Sequence, residues 1–277
     1  MSRIKDEEGL SMKTELNGLT IDFRDAGGAG LPVILIHAFP LNQTMWDEQV
    51  ADLSGLCRTI TLDLRGFGGS DVPSNPSLMD DMASDVRALM AHLHIDEAVL
   101  VGLSMGGYVS LAFYRNYPGA VRALVLSDTR ASADTAEGRQ KRLASADKAV
   151  REGVKAIADD MIPLLLGPTA LATRRDLQER LRTMIEHNSP AGVAAAQRGM
   201  AERIDSTYIL AGIDCPTLIV VGSDDKLTPV SESESLRNGI PHSKLHVIKD
   251  AGHLANIEQP AAFNHAVVEF VSRLATS

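Results

Sequence analysis

Cysteine is scarce: two residues, Cys57 and Cys215, in a chain of 277. They stand far apart, each beside an apolar strand-like run. That reads as two buried free thiols and excludes a disulfide framework. No Cys/His cluster has the spacing of zinc ligands. Neither a G-x-x-x-x-G-K-[ST] loop nor a Rossmann glycine fingerprint occurs, so no metal and no cofactor is expected. Runs of Lys and Arg are missing too. With a net charge of −9, the chain offers no basic face to nucleic acid or to an anionic membrane surface. No apolar stretch approaches the roughly 20 residues that span a bilayer. The first residues, MSRIKDEEGLSMK, lack the apolar core of a secretory signal. The expectation is a soluble, cytoplasmic protein acting on a small molecule. The single tryptophan, Trp46, reads as packing rather than as a binding platform.

What is present is a patterned, globular chain. Its 44% hydrophobic content suffices for one large core. Asn17-Gly18, inside the alternating MKTELNGLTIDFRD, signals a hairpin. The short continuous apolar runs LPVILIHA (Leu31 to Ala38), RTITLDL (Arg58 to Leu64), EAVLVGL (Glu97 to Leu103) and ALVLSDT (Ala123 to Thr129) suit strands covered on both faces. Helical spacing from Leu78 to Leu93 and from Met105 to Asn116 separates them, which implies βαβ units and a parallel sheet. From 131 to 207 no strand is evident. Asp134-Thr135-Ala136-Glu137 resembles a capping box, Gly167-Pro168 is a break, and Ser189-Pro190 opens a helix. About four helices fit there. Strands resume with PTLIVVGS and KLHVIKDA, and a last helix runs from about Pro260 to Leu274. The domain reading is an α/β core over 1–130 and 208–277, with a helical cap over 131–207.

One serine sits at a corner of this pattern. Gly102-Leu103-Ser104-Met105-Gly106 fits G-x-S-x-G, which chance alone would supply in about one chain in ten. Its place between a predicted strand and a predicted helix is the setting of a nucleophile elbow. The N–H of Met105, at the helix start, could then stabilise an oxyanion. A serine needs a base. His92 and His94 do not share a helix face, and His187, His242, His246 and His265 lie in polar or strand-edge contexts. His253, just past the last predicted strand, falls on the same sheet edge as Ser104. The acid that orients it should follow the intervening strand, where Asp224 and Asp225 both stand.

These residues lie in stretches that resemble the α/β-hydrolases: HAFP (His37 to Pro40), DLRGFGGS (Asp63 to Ser70), GLSMGG (Gly102 to Gly107), GSDDKLTP (Gly222 to Pro229) and AGHLANIEQP (Ala251 to Pro260). The resemblance spans nearly the whole chain. It points to the branch of small carboxylesterases, cofactor-free haloperoxidases (perhydrolases) and enol-lactonases. It implies a mostly parallel sheet flanked by helices, with an inserted helical cap. By this resemblance Ser104, Asp225 and His253 are the catalytic residues, Asp225 being in register with the Thr of a D-x-x-T-P run. The oxyanion donors are the N–H groups of Phe39 and Met105. Where glycine is usual the chain has Ala38, which a negative φ accommodates and a positive φ would strain.

The function implied is hydrolysis of small or medium acyl esters, and of lactones, through an acyl-enzyme. Perhydrolysis or enol-lactone opening with the same residues is one alternative, Pro40 favouring the haloperoxidase side. A ligand-sensing homologue that has kept the three residues is another. His37 reads as a buried brace for its loop, Arg65 as a structural residue more readily than a substrate clamp. Met161, Leu164, Leu165 and Leu166 are cap residues that either pack the cap or line a pocket.

Overall fold

A computed structural model describes residues 11–275; the amino-terminal segment read above for a signal lies mostly outside them. The hairpin is formed by β1 (Ser11–Leu16) and β2 (Leu19–Asp25), with Asn17 and Gly18 both at positive φ in its turn. There follow β3 (Pro32–Ile36), β4 (Arg58–Leu62), β5 (Ala98–Leu103), β6 (Val121–Ser127), β7 (Thr217–Gly222) and β8 (Ser243–Ile248). Among the described residues the sheet has eight strands in the order β1-β2-β4-β3-β5-β6-β7-β8. The pairings of β2 with β1 and with β4 are antiparallel, and all others are parallel.

Continuous apolar runs make sense here because both sheet faces are covered. Successive side chains of a strand point to opposite faces. Ile34 and Ile36 of β3 therefore join one core with Leu100, Leu124 and Ile219, closed by α2 (Met79–His92) and α3 (Met105–Asn116). Val33 and Leu35 join the other with Val101, Val125 and Val220, closed by α1 (Asp47–Leu53) and α11 (Pro260–Ala275). Trp46 packs against Phe263 of α11 in this second core. Cys57 and Cys215 are buried and free.

The strand-free block holds five α-helices rather than four: α4 (Ala136–Glu152), α5 (Val154–Leu165), α6 (Pro168–Thr173), α7 (Arg175–Glu186) and α8 (Pro190–Ala201). It enters between β6 and β7 and caps the carboxyl edge of the sheet. The capping box is not formed. Thr135 alone caps α4, accepting the Gly138 N–H, while Asp134 is taken by arginines. α8 docks on the core through bare backbone. A Cβ on Gly192 would lie 1.9 Å from the Gly66 carbonyl oxygen, and one on Gly199 1.7 Å from that of Ser77. The remaining helices, α9 (Val230–Gly239) and the short α10 (Ala255–Glu258), follow β7 and β8. Among the described residues no helix is long and apolar enough to cross a membrane.

Candidate active site

The six parallel strands, β3 to β8, deliver their following loops to one edge of the sheet, where ligands bind in open α/β folds. Ser104 follows β5 directly. It sits at φ 55 and ψ −110, a region that costs a non-glycine residue about 1–3 kcal/mol. Neighbouring bonds hold it there. Its N–H donates to the Ser127 carbonyl at 2.9 Å. Its carbonyl accepts from Gly107 N–H at 2.9 Å, Tyr108 N–H at 3.2 Å and Thr129 Oγ1 at 2.9 Å. The turn is possible only because its glycines lack side chains. A Cβ on Gly102 would meet the Gly106 oxygen at 2.3 Å, and one on Gly106 the Ile36 oxygen at 2.1 Å. That last approach also brings the end of β3, and the HAFP loop after it, beside the elbow.

Ser104, His253 and Asp225 are brought together. Ser104 Oγ lies 2.7 Å from His253 Nε2, and His253 Nδ1 lies 2.8 Å from Asp225 Oδ2. The imidazole is 2% exposed. Asp225 is pinned from four directions. Besides His253, its Oδ2 accepts from Thr228 Oγ1 at 2.6 Å, and its Oδ1 accepts the N–H groups of Leu227 at 2.8 Å and Thr228 at 3.0 Å. Burial pushes its carboxyl up, but His253 and these donors outweigh burial and hold it below the ordinary value. It is therefore a carboxylate at neutral pH, able to accept Nδ1–H and leave Nε2 free to take the serine proton. Asp224 is only half-buried, and its backbone N–H donates to the Ala251 carbonyl at 2.8 Å.

A second buried acid, Asp128, stands at the end of β6 and was not singled out in the sequence. It accepts the Gly222 N–H at 2.8 Å and pairs with the Ser127 hydroxyl at 2.6 Å, joining the ends of β6 and β7. Burial, and then the charge of Asp225, raise its carboxyl well above the ordinary range. The two acids are thus pushed in opposite directions: Asp225 toward its ionised form against the imidazole, Asp128 toward its protonated form behind it.

Phe39 lines the cavity over Ser104, and Met105 is the first residue of α3, where backbone N–H groups have no acceptor within the helix. Ala38 is not among the residues at positive φ, so alanine sits there without strain. His37 is the brace its loop needs. Its Nε2 accepts the Leu64 N–H at 3.0 Å, and its Nδ1 donates to the Ala38 carbonyl at 3.0 Å. Burial pushes its pKa down to about 4. Arg65 is no clamp, since it grips Asp85 through two bonds of 2.6 and 2.7 Å. Of the cap residues named, Met161 lines the cavity, Leu165 and Leu166 pack the core and Leu164 is exposed.

The cavity above Ser104 measures about 300 Å³, the lower end of the range for small-molecule sites. Its wall also includes Arg130, Asp134, Arg142 and Gln197, which sequence reasoning missed. Their only common signal is three-dimensional, since they come from the β6 loop, α4 and α8. The described residues hold no group of three or more His, Cys, Asp or Glu placed to share a metal ion.

Such a sheet, elbow and inserted cap define a hydrolase scaffold, and the chain belongs to the alpha/beta hydrolase fold family, which matches residues 32–260. Among solved structures it is similar to a thermophilic esterase from Thermogutta terrifontis with malate bound. The identity is 42% and the TM-score 0.92, covering 96% of this chain and 99% of the other. The enol-lactonase from Burkholderia xenovorans LB400 superposes with TM-score 0.89 at 28% identity, over 94% of this chain and all of that one. Among characterised sequences, 3-oxoadipate enol-lactonase 2 of Acinetobacter baylyi is 30% identical over 92% of this chain and 94% of that protein.

Proposed function

We propose that this hydrolase cleaves small carboxylic esters through an acyl-enzyme on Ser104. The observation that carries the reading is the unbroken line Ser104 Oγ, His253 Nε2, His253 Nδ1, Asp225 Oδ2 at 2.7 and 2.8 Å, opening on a cavity of about 300 Å³. His253 takes the hydroxyl proton as Ser104 attacks the ester carbonyl. Asp225 fixes the tautomer and stabilises the imidazolium. The N–H groups of Phe39 and Met105 hold the oxyanion. The proton passes to the departing alcohol, and water, deprotonated by His253, then releases the acid. Lactone opening is the same chemistry with acyl and alcohol joined, and the enol-lactonase relatives support including it. The similarity to the esterase makes simple esters the first substrates to try.

The test is turnover of p-nitrophenyl acetate. The wild type should turn over many times, and Ser104→Ala should fall to background with an unchanged circular dichroism spectrum. An organophosphate should label Ser104 in the intact protein. A single slow turnover would favour a ligand sensor instead. Wild-type rates in Ser104→Ala would remove the nucleophile.

A further inference from the structure

The cavity carries charge for which ester cleavage has no use. Arg130, Lys141 and Arg142 line it, against one carboxylate, Asp134. A further cation, Arg203, lies behind the wall, 4.0 Å from the centre of the Tyr108 ring, which itself lines the cavity. Asp134 organises the group. It makes close ion pairs with Arg130 Nη2 and Arg142 Nε, and Arg203 Nη2 lies 3.4 Å away. Burial opposes its ionisation, but the hydrogen bond and charge of Arg142, with Arg203 and Arg130, hold it below the ordinary value. Asp134 is the one carboxylate of the wall and serves three guanidiniums, while Asp205 meets the charge of Arg203 from outside the cavity. Glu232 adds to the field at Arg130, and Glu137 pairs with Lys141 at 2.8 Å, but neither lines the cavity.

This surplus of positive charge in the wall, three lining cations to one lining carboxylate, runs against a chain of net charge −9. It is also costly, because buried charge needs partners. The Nε atoms of Arg130 and Arg203 are buried without a hydrogen-bond partner, and the Arg203 side chain is only 4% exposed. The cluster is fixed relative to the nucleophile. Arg130 follows Thr129, whose hydroxyl is bonded to the Ser104 carbonyl at 2.9 Å. Arg142 is held on the cap side by Gln197 Oε1 at 3.3 Å in addition to Asp134.

We infer that the substrate is an anionic ester or lactone, carrying a carboxylate remote from the bond that is cleaved, and that Arg130 and Arg142 bind this carboxylate. The inference rests on the reading of Ser104 as an ester-cleaving nucleophile. Guanidinium groups suit a carboxylate because they offer planar paired donors. The exposed Lys141 adds to the attraction on entry. The same cluster rejects neutral isosteres, which cannot compensate the guanidiniums they displace from water.

Two substrate pairs test it: monomethyl glutarate against methyl glutaramate, and 3-acetoxypropanoate against 3-acetoxypropanamide. The charge lies on the acyl side in one and on the alcohol side in the other. Within a pair, the ratio of kcat/KM for anion over amide is read. The wild type should prefer the anion by about 10- to 100-fold in at least one pair, the worth of a charged hydrogen bond. High salt should reduce the preference. Arg130→Met and Arg142→Met should each erase most of it, and a ratio is insensitive to a general loss of active protein. If these variants do not fold, the exposed Lys141→Gln should still lower the ratio several-fold. Equal rates for anion and amide in both pairs would overturn the inference while leaving ester hydrolysis intact. If no ester is cleaved at all, the hydrolytic reading falls instead, and calorimetric titration with glutarate decides the rest. Binding to the wild type that Arg142→Met loses would sustain the anion site; no binding would end it.

Discussion

The backbone N–H of His253 donates to the carbonyl of Leu165 at 3.0 Å. The loop that presents the imidazole is thereby tied to the end of cap helix α5. Glu258 ties the same junction a second time. Its Oε1 accepts the Gly252 N–H at 2.8 Å and its Oε2 the Gly167 N–H at 2.9 Å. The His253 loop and the cap are one mechanical unit.

Glu258→Gln should therefore weaken both. A glutamine offers one acceptor where two N–H groups point, and its NH2 faces the other. Leaving that buried donor unmatched costs about 1–3 kcal/mol. Thermal unfolding should come earlier, and kcat on a short ester should fall as the His253 loop loosens. A variant with wild-type melting temperature and kcat would mean the junction is redundant.

The neighbouring aspartates should differ sharply. Asp225→Asn places an amide where His253 needs a carboxylate, and the wrong tautomer follows. A loss of about 10⁴ in kcat is expected from such a change in other relays of this kind. Asp224→Asn, half-buried and outside the relay, should cost less than about tenfold. Comparison of kcat on one ester, with folding checked by circular dichroism, decides it. The reverse ranking would put the acid one position earlier.

His37 makes stability depend on pH. Its folded pKa, near 4, lies below its ordinary 6.5, so the unfolded chain binds the proton more readily. The neutral imidazole's contribution is complete above pH 6.5 and is lost as pH falls toward 4. Asp63 acts in the opposite sense over a similar window. Burial raises its carboxyl to about 6, so its ionisation costs stability as pH rises through that value. His37→Gln should remove the first effect and leave the second. Measured by chemical denaturation, the variant should gain on the wild type by roughly 3 kcal/mol between pH 7 and pH 4. A constant difference across that range would show that His37 does not titrate on unfolding.

Arg65→Met should destabilise without touching catalysis. Its partner Asp85 has a side chain only 1% exposed, and stripping a buried pair of one member costs about 3–5 kcal/mol. The kcat/KM of the folded enzyme should stay put. A raised KM with unchanged stability would restore Arg65 as a substrate contact.

What the sequence made legible follows from local periodicity. β3 read as a doubly covered strand because Val33 and Leu35 face one core and Ile34 and Ile36 the other. The tight turn at Ser104 is legible because Gly102 and Gly106 mark a backbone approach that nothing larger permits. α9 escaped notice because VSESESLRNG buries only Ser233 and Leu236, too little apolar surface for a helical period. Asp134 was read as a cap because it sits one residue before the true one, Thr135. Its real partners, Arg130, Arg142 and Arg203, meet only when the β6 loop, α4 and the end of α8 are folded together. Tertiary charge clusters of this kind have no sequence period to detect.

The glycine contacts of α8 have a bearing on how the molecule could be rebuilt. Gly192 and Gly199 are seven positions apart, close to two helical turns, so both lie on one face, against Gly66 and Ser77 respectively. They work as a key cut into the roof of the cavity. A chimera that transplants a different insert onto this base must carry the same two notches, or its last helix will ride high. The roof, with Gln197 and Met200 on it, would then lift away from Ser104, widening the chamber and altering substrate choice with every chemical group still in place.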